Sequence, residues 1–291
     1  MSQHLHTLDT VAHSKGVRTE RTRLFRPAVR EFLETVSPDL WAGMRAWPLW
    51  TMLAWNDIRQ RYRRSVLGPF WITLSMGVFI LLLGVIYSRI FAVDIATYLP
   101  YLTLGYVLWG FISQTTMDSC GAFQEGERII KQIKLPYSLY VLRVVWRNFI
   151  VFLHTIVIFI PIAIIFGVKP GLTGLLAIPA LMLLYINQLW VALALAVVAT
   201  RFRDVMQIIT TAVQIMLFAT PVMWPVSSLG RSTIIAEINP LYHIIDLVRA
   251  PMLGTAPSAL SWFVSAGTAV AGSVLAILLL RRGSRRIVFW L

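Results

Sequence analysis

Apolar and polar residues come in long blocks along this chain. A helix needs roughly 20 apolar residues to cross a hydrocarbon core, and six stretches qualify: 70–90, 98–117, 144–166, 172–199, 205–226 and 260–280. Proline interrupts the third at Pro161 and the fourth at Pro179, and Pro221 and Pro225 fall near the end of the fifth. Each proline removes a backbone donor and kinks its helix, so these segments are expected to pack against neighbours that satisfy the freed carbonyl.

The stretch before the first apolar block, WPLWTMLAWNDIRQRYRRSVLGPFW (47–71), has a different pattern. At helical spacing Trp47, Trp50, Ala54, Ile58 and Tyr62 form one stripe, with Trp55 beside it. Asn56, Arg59, Gln60, Arg63 and Arg64 fall opposite, while Leu49, Met52 and Leu53 blur the polar face in the first half. The spacing predicts an amphipathic helix over 44–67 lying in a membrane surface, tryptophan at headgroup level and arginine toward anionic lipid. A solvated basic linker is the plainer alternative. Residues 1–43 read as a polar tail with a short helix around 29–35 and no apolar core of a cleaved signal peptide.

Two polar segments separate the blocks. In 118–136, Glu125, Glu127, Arg128, Lys131 and Lys134 surround Ile129, Ile130 and Ile133, which predicts a short amphipathic helix ended by Pro136. It serves equally as a solvated loop or as a docking surface for a partner. In 227–258, Asn239 followed by Pro240 predicts a capped helix over 241–250. That helix is too short to span and too apolar to stand alone in water, so a re-entrant or interfacial position is expected, with Asp246 and Arg249 spaced to pair.

Composition sharpens this picture. The chain is 57% hydrophobic and 13% charged, where a soluble domain carries about 25% charge. An all-α integral membrane protein is predicted. The net charge of +13 does not indicate nucleic acid, because the basic residues lie between apolar blocks instead of on one face. They do set an orientation. With both termini inside, the cytoplasmic face receives the basic residues of the tail and of 59–64, then Arg128, Lys131, Lys134, Arg143 and Arg147, then Arg201 and Arg203, then Arg281, Arg282, Arg285 and Arg286. The outside receives Arg89, Lys169, Arg231 and Arg249. Six spans with both ends cytoplasmic are expected, and no repeat relates the two halves.

Catalytic chemistry is hard to place. The single Cys120 forms no internal disulfide, and no phosphate loop, zinc spacing or nucleophile elbow occurs. His154, in the third block, is expected to be a hydrogen-bonded packing residue. The inner halves of the spans hold no Asp or Glu, the groups an ion-coupled transporter keeps near the midplane. A transporter without them must draw its energy elsewhere, and a separate ATPase docked on the cytoplasmic helices would supply it. A membrane-embedded transferase would need clustered acids, and Asp118, Glu125, Glu127 and Asp204 have no evident catalytic partner in the sequence.

RYRRSVLGPFW (61–71), RFRDV (201–205), TPVMWP (220–225), NPLYHIIDLVR (239–249) and RRIVFWL (285–291), in this order against six spans, resemble the membrane subunit of bacterial polysaccharide exporters of the ABC-2 type. That group includes O-antigen, capsule and teichoic-acid exporters, and the resemblance covers about 48–291. It implies a homodimer with two copies of a nucleotide-binding ATPase in the inner membrane. ATP and magnesium would be bound by the ATPase and no cofactor by this chain. It implies an interface helix at 44–67, a transmembrane domain over 68–291, a coupling loop at 118–136 and re-entrant outer helices within 227–258. On that footing Arg59, Arg61, Arg63 and Arg64 are candidates for the pyrophosphate of an undecaprenyl-linked glycan. Glu125, Glu127, Arg128 and Lys131 are candidates for the ATPase contact, and Trp109, Trp224 and Tyr242 for the glycan path. O-antigen is the preferred cargo. Capsule, teichoic acid and small hydrophobic compounds are the alternatives.

Overall fold

Every regular element among the described residues is an α- or 3-10 helix. The computed structural model describes residues 37–63, 68, 70–226 and 234–291. Arg64, the expected helix around 29–35, and residues 227–233 of the segment expected to lie outside are not among the described residues. The helices are α1 (Ser37–Arg45), α2 (Trp47–Tyr62), α3 (Phe70–Ile90), α4 (Ile95–Cys120), α5 (Ala122–Glu125) and α6 (Glu127–Gln132). They continue as α7 (Tyr137–Thr155), α8 (Phe159–Ile165), α9 (Ala177–Arg201), α10 (Val205–Ala219), α11 (Ile234–Glu237), α12 (Pro240–Met252), α13 (Ala259–Gly283) and α14 (Ile287–Trp290).

Five helical segments are long and apolar enough to cross a membrane: Phe70–Ile90, Ile95–Cys120, Tyr137–Ile165, Gly171–Arg201 and Ala259–Gly283. The fifth apolar block behaves differently. It forms α10, with 15 residues, or about 22 Å of helix against a core of about 30 Å. Past Ala219 the chain leaves the helix and unwinds through Pro221 to Pro225. Two prolines so close together leave too few donors to continue a helix.

The other prolines act locally. Pro161 cannot donate to the carbonyl four residues back, and the chain tightens into a 3-10 turn over Ile156–Ile158 before α8 resumes. Pro179 sits in the first turn of α9, where its donor is not needed.

α4 is the central helix, buried along most of its length, and α3 packs on it with most of its own surface exposed. α9 and α13 form the tightest pair through small residues. Ser261, Ser265, Ala269, Gly272 and Ala276 are buried along α13. A Cβ on Gly272 would stand 2.2 Å from the Trp190 ring. Asn187 donates to the Ser265 carbonyl (3.1 Å) and accepts from Thr268 (3.1 Å) and from the Trp190 indole (3.0 Å). Small residues let backbones approach, and interhelical hydrogen bonds of roughly 0.6–2 kcal/mol add to the packing. The loop after α12 returns at Gly254, where φ is 89° and a Cβ would meet the Lys169 carbonyl at 2.9 Å, so only glycine fits without strain.

The contacts divide the bundle into two ends. At one, rich in arginine, lie the end of α4, α5, α6, the start of α7, and the ends of α9 and α13; α1 and α2 lie along α7. At the other lie the start of α4, the unwound 220–225 segment, α11 and α12.

Candidate functional site

The basic end is built around Arg147 of α7, whose side chain is 6% exposed. Its guanidinium donates to Asp57 of α2 (3.2 Å), to Glu125 of α5 (3.2 Å) and to Asp118 of α4 (2.9 Å). One turn earlier, Arg143 holds Asp57 with two hydrogen bonds, 2.7 Å from Nε and 2.5 Å from Nη2. Asn148 and Gln114 donate to the oxygens of Asp118 at 3.1 and 2.6 Å. Two cations and three anions from four helices thus meet in one junction. Separating a partly buried pair leaves an uncompensated charge, which ties α2, α4, α5 and α7 together.

The segment beyond Asp118 folds as two short helices instead of one. Gly126 marks the break, where a Cβ would lie 2.5 Å from the Tyr140 ring. Phe123 is fully buried, and Ile129 and Ile130 pack against the same apolar cluster. Ile133 stays 56% exposed, so only part of the isoleucine triplet is offered outward. Lys131 donates to Glu127 across one turn at 2.6 Å. That hydrogen bond, with the charges of Lys131, Arg128 and Arg203, holds the Glu127 carboxyl below the usual glutamate range.

α2 forms as expected, but its apolar stripe meets protein. Ala54 and Ile58 are buried, and Trp50 sets its edge on Trp146 of α7 at 5.7 Å. Trp47, Met52 and Trp55 remain exposed, as do Arg59, Arg61 and Arg63. His154 differs from expectation. Its ring packs edge-on against Phe70 at 4.9 Å, and its Nε2 has no hydrogen-bond partner among the described residues.

At the opposite end, side chains take up the carbonyls that the unwound 220–225 segment frees. Arg249 donates to Pro221 (2.9 Å), Tyr101 to Pro221 (3.1 Å) and Trp224 (3.3 Å), and Tyr98 to Met223. Asn239 donates to Ala219 (3.3 Å) and to the Thr220 hydroxyl (2.9 Å) while capping α12 through Leu241. The Arg249 guanidinium lies 3.9 Å above the Tyr101 ring and is 3.4 Å from Asp246. His243 is buried between Ser261 (3.0 Å) and the Glu237 carbonyl (2.7 Å). A carbonyl can only accept, so Nε2 carries the proton. Beside these groups opens a cavity of about 370 Å³ lined by Tyr98, Tyr101, Tyr242, Asp246 and Arg249. Burial, then the negative charge of Asp246, pushes the Tyr242 phenol up to about 12. It therefore stays a donor at neutral pH.

Residues 48–253 match the family of ABC-2 type transporters. The chain belongs to that family. It is similar to an O-antigen export system permease protein RfbA of Klebsiella pneumoniae, 25% identical over 195 residues, covering 65% of this chain and 74% of that protein. A second RfbA of the same organism is 24% identical over the same coverage. RfbA of Myxococcus xanthus is 23% identical over 206 residues, covering 68% and 77%.

As an ABC-2 type membrane subunit, the chain brings some of the expected residues together and separates others. Glu125 reaches Arg147 although its own side chain stays as exposed as those of Glu127 and Lys131, and Arg128 is exposed beside them. The three aromatic candidates do not meet. Tyr242 lines the cavity beside Arg249. The Trp224 indole donates to the Phe218 carbonyl at 2.9 Å. Trp109 is 5% exposed and lines a separate cavity of about 290 Å³ with Asn187, Gln188 and Trp190.

Sequence reasoning missed the Arg147 junction, having counted Arg143 and Arg147 only toward orientation. A signal existed: both lie on one face of an apolar helix, and Asp57 is the sole acid in α2. It also missed α1. There Asp39 accepts from the backbone N–H groups of Tyr137 (2.7 Å) and Ser138 (3.0 Å) at the start of α7.

Proposed function

We propose that this chain is the permease of an ATP-driven exporter of lipid-linked cell-surface polysaccharide in the bacterial inner membrane. O-antigen is the preferred cargo, with capsule and teichoic acid as the alternatives. Two copies form the channel and two ATPase subunits drive it. Both ends of each chain are cytoplasmic. α10 and the unwound 220–225 segment together complete a sixth crossing, and α11 and α12 re-enter from the outer face.

The observation that carries the transport mechanism is the Arg147 junction. Asp118 and Glu125 belong to the segment that leads into α5 and α6, and Arg147 ties both to the span α7 and, through Asp57, to α2. A push on the outward-facing Glu127, Arg128 and Lys131 by a closing ATPase would therefore pass to α4, α7 and α2 together. The exposed Arg59, Arg61 and Arg63 on α2, with Arg64 following, suit the pyrophosphate of an undecaprenyl carrier, because guanidinium donates in parallel pairs. Tyr242, in the same cavity wall as Tyr98 and Tyr101, offers a ring face and a phenol donor to a passing sugar at the outer end. The cargo class is supported by the three permeases named for O-antigen export.

The test is deletion of the gene, complemented by the parent and by Arg147→Met, with surface polysaccharide and intracellular lipid-linked polymer both measured. Export by the parent, with polymer retained inside the deletion strain, is expected. Normal surface polysaccharide in the deletion strain overturns the reading.

One observation favours a second reading, export of small hydrophobic compounds. The 290 Å³ cavity at Trp109 is lined mostly by apolar side chains. Unchanged surface glycan with raised sensitivity of the deletion strain to such compounds would select it.

A further inference from the structure

We infer that the groove between the basic ends of α9 and α13 binds the phosphate group of a membrane lipid, separately from the arginines of α2. The groove is a cavity of about 480 Å³ whose lining includes Arg201, Arg282, Arg286, Phe202, Trp290 and Leu279. Three of its side chains are guanidinium groups and none is a carboxylate. Among the described residues no carboxylate lies within ion-pair distance of these three arginines. Their neighbours behave otherwise. Arg143 and Arg147 are paired with carboxylates, and Arg203, two residues beyond Arg201, acts on Glu127.

Arg201 is held in place by rings, its guanidinium 4.9 Å from Phe202 and 5.6 Å from Trp290. Stacking orients the guanidinium plane and leaves its N–H groups free for an anion. The carbonyl ends of α9 and α13 supply roughly half a negative charge each. Against three arginines, that leaves a net charge of about +2. A phosphate diester neutralises about half of that charge and a diphosphate diester about all of it.

The groove also has the shape for an amphiphile. On α13, Leu275, Leu279 and Arg282 follow one another at helical spacing. Leu275 is 52% exposed. On α9, Val191, Leu195 and Val198 make a matching half-buried stripe that runs to Arg201 and Phe202. An acyl or prenyl chain lying along these stripes places its headgroup among the arginines, and the arginine stems cover the chain where it emerges. A soluble phosphate would use the cations but not the stripes.

The test uses purified full-length protein and native mass spectrometry, with phosphatidylglycerol and phosphatidylcholine added in turn and inorganic phosphate as competitor. The parent is expected to retain phosphatidylglycerol over phosphatidylcholine. Arg201→Gln, Arg282→Gln and Arg286→Gln combined should lower that retention about tenfold or more. Lysine at the same three positions should restore most of it. Removing three charges elsewhere, at Arg45, Lys134 and Lys169, should leave retention unchanged and separates the site from general charge. Displacement of lipid by millimolar inorganic phosphate overturns the lipid assignment in favour of a soluble phosphate. Equal lipid retention by parent and triple-glutamine variant overturns the site, including where that variant instead loses ATPase binding.

Discussion

Ser138 donates twice to Asp39. The Ser138 amide donates to the Asp39 carboxylate at 3.0 Å, and the Ser138 hydroxyl donates to the Asp39 carbonyl at 2.8 Å. Gly43 of α1 sits against the same serine, so close that a Cβ there would lie 2.1 Å from its hydroxyl. An aspartate 99 residues away in the chain therefore caps α7, whose own preceding residue, Pro136, has no side-chain acceptor.

Replacing that cap has a defined effect. Asp39→Ala removes a charged acceptor from two amides and should lower stability by about 0.5–2 kcal/mol. Asp39→Asn should retain part of it. Thermal unfolding of the purified protein, followed by circular dichroism, measures both. An unchanged midpoint for Asp39→Ala would show that α1 rests on α7 without stabilising it.

The Arg147 junction predicts coupled losses. Arg147→Met leaves Asp57, Asp118 and Glu125 without their shared cation and should destabilise by about 3–5 kcal/mol. Asp57→Asn and Arg143→Gln, alone and together, form a double-mutant cycle with an expected coupling of about 0.5–3 kcal/mol. Strictly additive losses would mean that the two hydrogen bonds between Asp57 and Arg143 do not hold in solution.

Arg249 fixes the unwound segment at the other end. Arg249→Met takes a donor from the Pro221 carbonyl and a cation from the Tyr101 face, a loss of about 1–3 kcal/mol. Hydrogen exchange at residues 220–225 should speed up more than in α9 or α13. Arg249→Lys keeps the charge but not the forked geometry and should fall between the two. Parental protection across 220–225 in Arg249→Met would rule out this anchoring.

The arginines of α2 predict a transport defect without a folding defect. Arg61→Ala combined with Arg63→Ala removes exposed charge and should trap lipid-linked polymer inside the cell at normal protein abundance. Surface polymer at the parental level in that variant would refute a role for these two residues in admitting the lipid. Because Arg201 and Arg282 lie on α9 and α13 and Arg286 in the turn after α13, the two arginine clusters can be tested independently.

Much of this architecture is legible in one dimension. The blocks at 70–90 and 260–280 become α3 and α13 almost residue for residue, since hydrophobic length is a local property. Asn239 and Pro240 announce the start of α12 for the same reason. The fifth block misleads, because hydropathy counts Pro221, Val222, Met223, Trp224 and Pro225 as apolar whether or not their backbone can remain helical. α12 runs on through Pro251 to Met252, as proline at a helix end blocks only the turn before it.

The candidate sites were less legible. Residue type marked Arg59, Glu127 and Tyr242 as chemistry-bearing, but pairing is a property of position. Asp57 and Arg143 stand 86 residues apart, and Arg249 and Pro221 stand 28 apart. The sequence by itself determined that long apolar helices alternate with basic connections, because lipid length and backbone hydrogen bonding act on each segment separately. Only the tertiary structure decided which charges neutralise one another and which stay open. In a low-dielectric bundle that outcome depends on distances of a few ångströms between helices, and no local pattern encodes them.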